Sequence, residues 1–174
     1  MDDPFDTLGL PARFDLDRGA IEAAYLSRAA AAHPDRGGTE GVDFEATIAR
    51  LNAARGTLLD AEKRARALLA RLTAGEAKIT PGGAEDRALP PGFLEAMMEA
   101  RERMEAERGQ PGSAERWEAW AEARRAGHVK EVGRLLAEAG ARPVGGRAVA
   151  LAAVRRELNA WRYVERMLEQ IIEA

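Results

Sequence analysis

The tripeptide His33-Pro34-Asp35 contains the residue types in this sequence that are best suited to chemistry. Pro34 has a fixed φ and disfavours the helical conformation in the residue before it, so a preceding helix should end near Ala32 or His33. The Asp35 carboxylate is then held at a defined angle on an exposed loop. A carboxylate in that position suits a bidentate bond to an arginine on a partner protein.

Two other interpretations of the tripeptide come from different classes. Turns rich in Pro, Asp and Gly commonly end helices, and isolated short motifs often match by chance. A metal-dependent hydrolase could use His33, Asp35 and Asp43, but metal ligands must converge from several imidazoles or carboxylates, and His128 is the chain's second and last histidine. We therefore expect no metal site, no catalytic residue and no enzyme activity.

Composition narrows the chemistry further. The chain has no cysteine, which excludes disulfides, thiolate metal ligands, a cysteine nucleophile and thiolate ligation of an iron–sulfur cluster, and no cofactor is expected. A net charge of −3 provides no general positive field for nucleic acid or an anionic membrane. The sequence also has no apolar run of about 18 residues and no signal peptide at its acidic start, so we expect a cytoplasmic protein.

Apolar residues at three- and four-residue spacing predict the helices that must position the tripeptide. Pro4 to Leu8 is typical of a one-turn helix, a second helix begins after Asp15 or Asp17, and a third begins near residues 42–44. The second and third helices should run antiparallel. Their apolar positions are Ile21, Tyr25, Leu26 and Ala29 in the second helix and Phe44, Ile48, Leu51, Ala54 and Leu58 in the third. Residues 60–65 are expected to loosen the chain before Leu68, Leu69 and Leu72 resume the pattern.

The sequence predicts a linker over residues 73–92, which contain two Pro/Gly clusters, and a second helical region over residues 93–174. Breaks at residues 109–112 and 140–146 divide the second region into three helices, which favours an antiparallel bundle and an all-α fold. Gly127 is either a cap or a weak point inside one long helix. We expect His128 to be solvated near a helix end, and we assign Phe93, Met97, Trp117, Trp120 and Trp161 to packing.

In this arrangement the first 70 residues resemble a J-domain, the module that stimulates ATP hydrolysis by DnaK-type heat-shock chaperones. The resemblance is carried by residues 3–10 (DPFDTLGL), the helix with Tyr25, His33-Pro34-Asp35-Arg36, residues 51–54 (LNAA) and Leu58. Residues 1–72 are accordingly assigned to a J-domain.

The rest of the chain is similar to the HscB family, the J-protein co-chaperones of iron–sulfur cluster assembly. The similarity includes residues 10–14 (LPARF), Arg64-Ala65 before Leu68-Leu69, and residues 93–102 (FLEAMMEARE). The family plan is an N-terminal J-domain, a short linker and a C-terminal three-helix bundle that binds the cluster scaffold protein IscU. The resemblance implies that a chaperone of the DnaK or HscA type and an IscU-type scaffold are the partners.

The resemblance also implies roles for particular residues. His33 shapes the turn, Pro34 rigidifies it and Asp35 makes the main polar contact with the chaperone, while Arg28 and Arg36 supply accessory charge. On the bundle, the scaffold-binding residues are Leu94, Met98, Glu99, Glu102 and Tyr163.

Two further hypotheses for the function of the whole chain stay open: a J-domain co-chaperone with a different client protein, and a purely structural helical adaptor.

The chain departs from the family pattern in its second helix. J-domains usually carry several cations there, whereas residues 27–32 contain one, Arg28. Electrostatic steering of the chaperone should be correspondingly weak.

Overall fold

The computed structural model describes residues 2–33, 42–74, 76 and 87–172, and all the regular structure in these ranges is helical. This confirms the predicted all-α class. The helices are α1 (Pro4–Leu8), α2 (Arg18–Ala32), α3 (Val42–Leu59), α4 (Ala61–Thr73), α5 (Phe93–Ala106), α6 (Ser113–Ala141) and α7 (Ala148–Ile172). Within the described ranges, none of them is both long enough and apolar enough to cross a membrane.

The chain divides into two compact units, Met1–Ala74 and Gly75–Ala174. The predicted linker over residues 73–92 lies largely outside the described residues, so its bounds stay a prediction. Two hydrogen bonds attach its described part to the rest of the second unit: Asn159 Nδ2 of α7 donates to the Ala88 carbonyl at 3.0 Å, and the Gly145 amide donates to the buried Glu76 carboxylate at 2.8 Å.

Local capping chemistry determines where the first two helices begin and end. The Asp3 carboxylate accepts a hydrogen bond from the Phe5 amide at 2.9 Å, and Gly9 ends α1 with a left-handed φ of 66°. Of the two candidate starts for α2, the structure uses Asp17, whose carboxylate accepts from the Ala20 amide at 3.0 Å. The predicted stop of α2 before Pro34 is confirmed, since Ala32 is its last residue.

Helices α2 and α3 run antiparallel, as predicted. Arg55 donates to Glu22 at 2.6 Å, while the rings of His33 and Phe44 meet edge to face at 5.8 Å, so the start of one helix lies beside the end of the other. The prediction that Leu26 packs inward is wrong: its side chain is 62% exposed, because Ile21 and Tyr25 already occupy the side of α2 that faces α3.

The core of the first unit joins α1 to the apolar sides of the other helices. Its buried members are Phe5, Leu8, Leu16, Ile21, Leu51, Ala54, Leu58, Ala65, Leu68 and Leu69. Instead of a loosened stretch, one residue, Asp60, separates α3 from α4 and caps α4 by accepting from the Lys63 amide at 3.0 Å. Arg64 then ties α4 to the chain before α2, because its guanidinium donates to the carbonyls of Phe14 (2.8 Å) and Leu58.

In the second unit, α5, α6 and α7 form the predicted bundle. Arg125 of α6 donates to Glu165 of α7 at 2.6 Å, and His128, one turn further along α6, bonds Glu157, two turns earlier on α7. These two helices are therefore antiparallel. The buried side of α5 consists of Phe93, Met97 and Ala100, and Trp161 is 1% exposed, so the packing predictions for Phe93, Met97 and Trp161 are confirmed.

Helix α6 continues through Gly127, so this glycine is not a cap and lies inside one long helix, the second of the two predicted alternatives. Gly127 is exposed, and a Cβ atom added there would meet no other atom within 4 Å. The prediction for the next residue is wrong, since His128 is 9% exposed in the middle of α6. Its ring packs edge to face on Phe93 at 5.8 Å, and its Nδ1 bonds Glu157 at 2.6 Å. Contacts with α5 and α7 explain the burial.

Candidate functional site

The first candidate surface is the end of α2. His33 is the C-cap residue, with an extended backbone (φ −66°, ψ 132°), and its amide donates to the Ala30 carbonyl at 3.4 Å. This is the conformation that a following proline requires. Pro34, Asp35 and Arg36 lie outside the described residues, so their predicted roles stay predictions.

The exposed residues of α2 carry little charge. Arg28 is exposed, and its guanidinium lies so close to Gly9 that a Cβ atom there would be 2.1 Å from Arg28 Nη2. The Glu22 carboxylate is engaged by Arg55, whose hydrogen bond holds the pKa of Glu22 below its ordinary value. Leu26 is the largest exposed apolar residue of α2, but it lies two positions before Arg28 and therefore on a different side of the helix. Helix α2 thus carries two exposed arginines, Arg18 and Arg28, rather than a row of cations.

The described residues contain no group of three or more acidic or histidine side chains that could hold a metal ion. Of the three residues considered for metal-dependent hydrolysis, Asp35 lies outside the described ranges. Asp43 is an exposed residue in the first turn of α3, where a carboxylate favourably meets the helix dipole.

The second candidate surface is the outer side of α5. Leu94 is 50% exposed and Met98 is 64% exposed, and they lie one helical turn apart. Glu99 and Glu102 are exposed next to them. The opposite side of the same helix is buried, so the structure brings four of the five predicted scaffold-binding residues together on one accessible face.

Tyr163, the fifth predicted residue, lies on α7 and is half-buried. Its ring packs perpendicular to Phe93 at a centroid distance of 5.5 Å, next to the core formed by Phe93, Met97, Ala160 and Val164. Its predicted role in binding stays a prediction, because this position also serves the packing of the bundle.

Sequence reasoning missed a cavity of about 170 Å³ beside this face, lined by Met97, Arg101, Tyr163, Arg166 and Met167. The available signal was the spacing of Arg101, which lies three residues after Met98 and seven after Leu94 and so shares their side of α5. Trp120 packs against the same core as Tyr163, and its ring meets that of Trp117 at 5.5 Å. Trp117 Nε1 donates to Glu107 at 3.2 Å.

Comparison with known proteins finds relatives that are named as co-chaperones. The co-chaperone protein HscB homolog of Bordetella parapertussis is 31% identical over 173 residues, which is 99% of this chain and 96% of that protein. The homolog of Burkholderia mallei is 40% identical over 109 residues, covering 60% of this chain and 59% of that protein. No protein-family model matches the chain.

Solved structures with the same fold include human co-chaperone protein HscB, with a TM-score of 0.71 and 20% identity over 98% of this chain and 81% of that one. The chaperone HscB from Vibrio cholerae gives a TM-score of 0.60 and 21% identity over 98% of this chain and 99% of that one. The fold is therefore an N-terminal J-domain followed by a C-terminal helical bundle. The relatives are named as co-chaperones, not as enzymes. Because the first sequence match spans almost the whole chain, this chain belongs to the HscB family of co-chaperones.

Proposed function

We propose that this protein stimulates the ATPase of a DnaK/HscA-type chaperone through the His33-Pro34-Asp35 loop and delivers an IscU-type iron–sulfur scaffold protein through its C-terminal bundle. The chaperone performs the chemistry, and this chain supplies contacts. The observation that carries the proposal is the exposed pair Leu94 and Met98 on a helix whose other side is buried.

The chaperone-binding part is supported by the end of α2. Helices α2 and α3 lie antiparallel, and their contact through His33 and Phe44 brings together the two ends of the loop that contains Asp35. A carboxylate presented there suits a bidentate bond from an arginine of the chaperone. Exposed Arg28, near the end of α2, adds a positive charge to the proposed contact.

A single-turnover ATPase assay with the cognate chaperone tests this part. Asp35→Asn should leave the helical circular dichroism unchanged and abolish stimulation, because the amide keeps the shape but loses the charge. The matched control is Asp43→Asn, an exposed carboxylate on the other side of the loop, which should stimulate normally. Full stimulation by Asp35→Asn would refute the mechanism, and no stimulation by the wild type would favour a structural adaptor.

The client-binding part is supported by the apolar area that α5 leaves uncovered. Full burial of a leucine or methionine side chain stabilises a complex by about 1.5–3 kcal/mol, and about half of each side chain is available here, so the pair can contribute about 2 kcal/mol. Replacing both Leu94 and Met98 by alanine should therefore weaken scaffold binding by about thirtyfold.

Isothermal titration calorimetry against the IscU-type scaffold measures this effect. The matched control is the double substitution Val144→Ala and Val149→Ala, which truncates two exposed apolar side chains, one in the turn between α6 and α7 and one at the start of α7. The control should bind normally. A wild type that stimulates the chaperone but does not bind the scaffold would favour the alternative, a J-domain co-chaperone with a different client.

A further inference from the structure

The cavity between α5 and α7 is lined by both apolar and positively charged side chains. Its apolar lining consists of Met97, which is buried, and Met167, which is half-buried. The remaining lining residues are Arg101, Tyr163 and Arg166, and both arginines are exposed. We call these five residues the arginine notch.

The polar groups of the arginine notch have no partners in the part of the chain that the structure describes. Arg101 and Arg166 form no ion pair or hydrogen bond there, and the Tyr163 hydroxyl forms no hydrogen bond. Some other arginines of the same unit are neutralised within it: Arg116 pairs with Glu107, and Arg134 pairs with both Glu131 and Glu138. Two unpaired guanidinium groups beside one cavity therefore form a local positive site on a chain of net negative charge.

The composition of the notch determines what it can bind. Guanidinium groups only donate hydrogen bonds, and a pair of them matches the two oxygens of a carboxylate. The methionine lining favours a ligand whose charged end is attached to methylene groups. A volume of about 170 Å³ is below the range of about 300–1,000 Å³ that is typical of small-molecule sites, so one amino-acid side chain is a suitable occupant.

We propose that the arginine notch binds the carboxylate side chain of an aspartate or glutamate on the delivered client protein. This inference rests on the proposed function and adds a specificity determinant to it. Arg101 follows Leu94 and Met98 on the same side of α5, so the notch continues the apolar contact by one further turn.

The charges around the notch also determine the orientation in which the client docks. Glu99 and Glu102 are exposed on α5, whereas Arg101 and Arg166 flank the cavity. A partner surface must therefore present an acidic residue to the notch and basic or neutral residues to the two glutamates. Such complementarity suppresses reversed or shifted docking, where like charges would meet.

Calorimetric titration of the full-length protein with the IscU-type scaffold tests the proposal. Arg101→Gln and Arg166→Gln should each weaken binding by about fivefold to tenfold in low salt, and the loss should shrink in high salt. Arg108→Gln is the matched control, because it removes an exposed arginine that does not line the notch, and it should change the affinity by less than about twofold. Thermal unfolding of each variant establishes that the fold is retained.

The acidic partner is then located by changing the scaffold's exposed Asp and Glu residues, one at a time, to Asn and Gln. One such change should weaken binding to the wild type and have no further effect on the variant that lacks both Arg101 and Arg166. The assignment of the notch would be overturned if Arg101→Gln and Arg108→Gln weakened scaffold binding equally. It would also be overturned if every acidic substitution in the scaffold weakened binding to the wild type and to the variant without both arginines by the same factor. Either result would leave the proposed function standing. Inorganic phosphate that binds the notch without competing with the scaffold would overturn the assignment of the notch as well. A wild type with no affinity for the scaffold would overturn the proposed function and this inference together.

Discussion

Replacing His128 by leucine should destabilise the second unit by about 2–3 kcal/mol. His128 Nδ1 and Glu157 Oε1 are 2.6 Å apart, and the two side chains are only 11% and 15% exposed. A hydrogen bond to a charged group contributes about 1.5–3 kcal/mol, and stranding a fully buried charge costs about 3–5 kcal/mol. Leucine leaves the Glu157 carboxylate without its hydrogen-bond donor but with some access to water. The loss of stability should therefore lie in the range for a charged hydrogen bond rather than in the range for a fully buried charge.

The double variant with leucine at both positions distinguishes a specific pair from general packing. It removes the stranded carboxylate together with His128 Nε2, a buried atom that has no hydrogen-bond partner among the described residues. Replacing both members of a polar pair by apolar groups of similar size is often nearly neutral. The double variant should therefore be more stable than His128→Leu alone, with a coupling free energy of at least about 1.5 kcal/mol.

Urea unfolding followed by tryptophan fluorescence measures these free energies in the right part of the molecule, because all three tryptophans lie in the second unit. Lys130→Leu is the control: it changes an exposed residue of the same helix and should alter the stability by less than about 0.5 kcal/mol. The reasoning is refuted if His128→Leu unfolds at the same urea concentration as the wild type, or if the double variant loses the sum of the two single losses.

Three further outcomes follow from individual contacts. Arg64→Met should destabilise the first unit by about 2–3 kcal/mol, because it leaves two backbone carbonyls without their charged donor; faster amide exchange in α4 with unchanged tryptophan fluorescence checks it. The hydrogen bond from Arg55 lowers the pKa of Glu22. The stability that this hydrogen bond contributes is therefore complete above the ordinary glutamate pKa and is lost as the pH falls through the lowered pKa of Glu22. In an NMR titration, Arg55→Gln should move the Glu22 midpoint upward, and an unmoved midpoint contradicts this cause. Gly127→Ala should stabilise the second unit by about 0.5–1 kcal/mol in the urea assay, because an added Cβ meets no atom within 4 Å, and a loss of stability would contradict a regular helix there.

Features that depend on neighbouring residues in the sequence were predictable. The start of α2 after one of two aspartates and its end before Pro34 follow from side-chain caps and from the steric effect of proline, which act within a few residues. The buried stripe of α3 was predictable for a related reason, because Leu51, Ala54 and Leu58 repeat with the period of the helix itself.

Features that depend on another helix were not predictable. The sequence around His128 contains glycine, charged residues and alanine, which is typical of an exposed segment. The contacts of His128 with Phe93 of α5 and with Glu157 of α7, which is 29 residues away, explain its burial. Leu26 is the opposite case. It belongs to an apolar pattern, yet α3 contacts a narrower side of α2 than the pattern suggested, and Leu26 remains exposed.

The contacts of α5 explain how a helix can keep apolar side chains exposed and still hold them in place. Phe93 begins α5, and its ring meets His128 of α6 at 5.8 Å and Tyr163 of α7 at 5.5 Å. Leu94 is the next residue, so two rings from two other helices fix the turn that presents it. Binding a client then costs less conformational entropy at this position than it would on a flexible segment. The buried His128 that the sequence failed to predict therefore supports the surface that the sequence did predict.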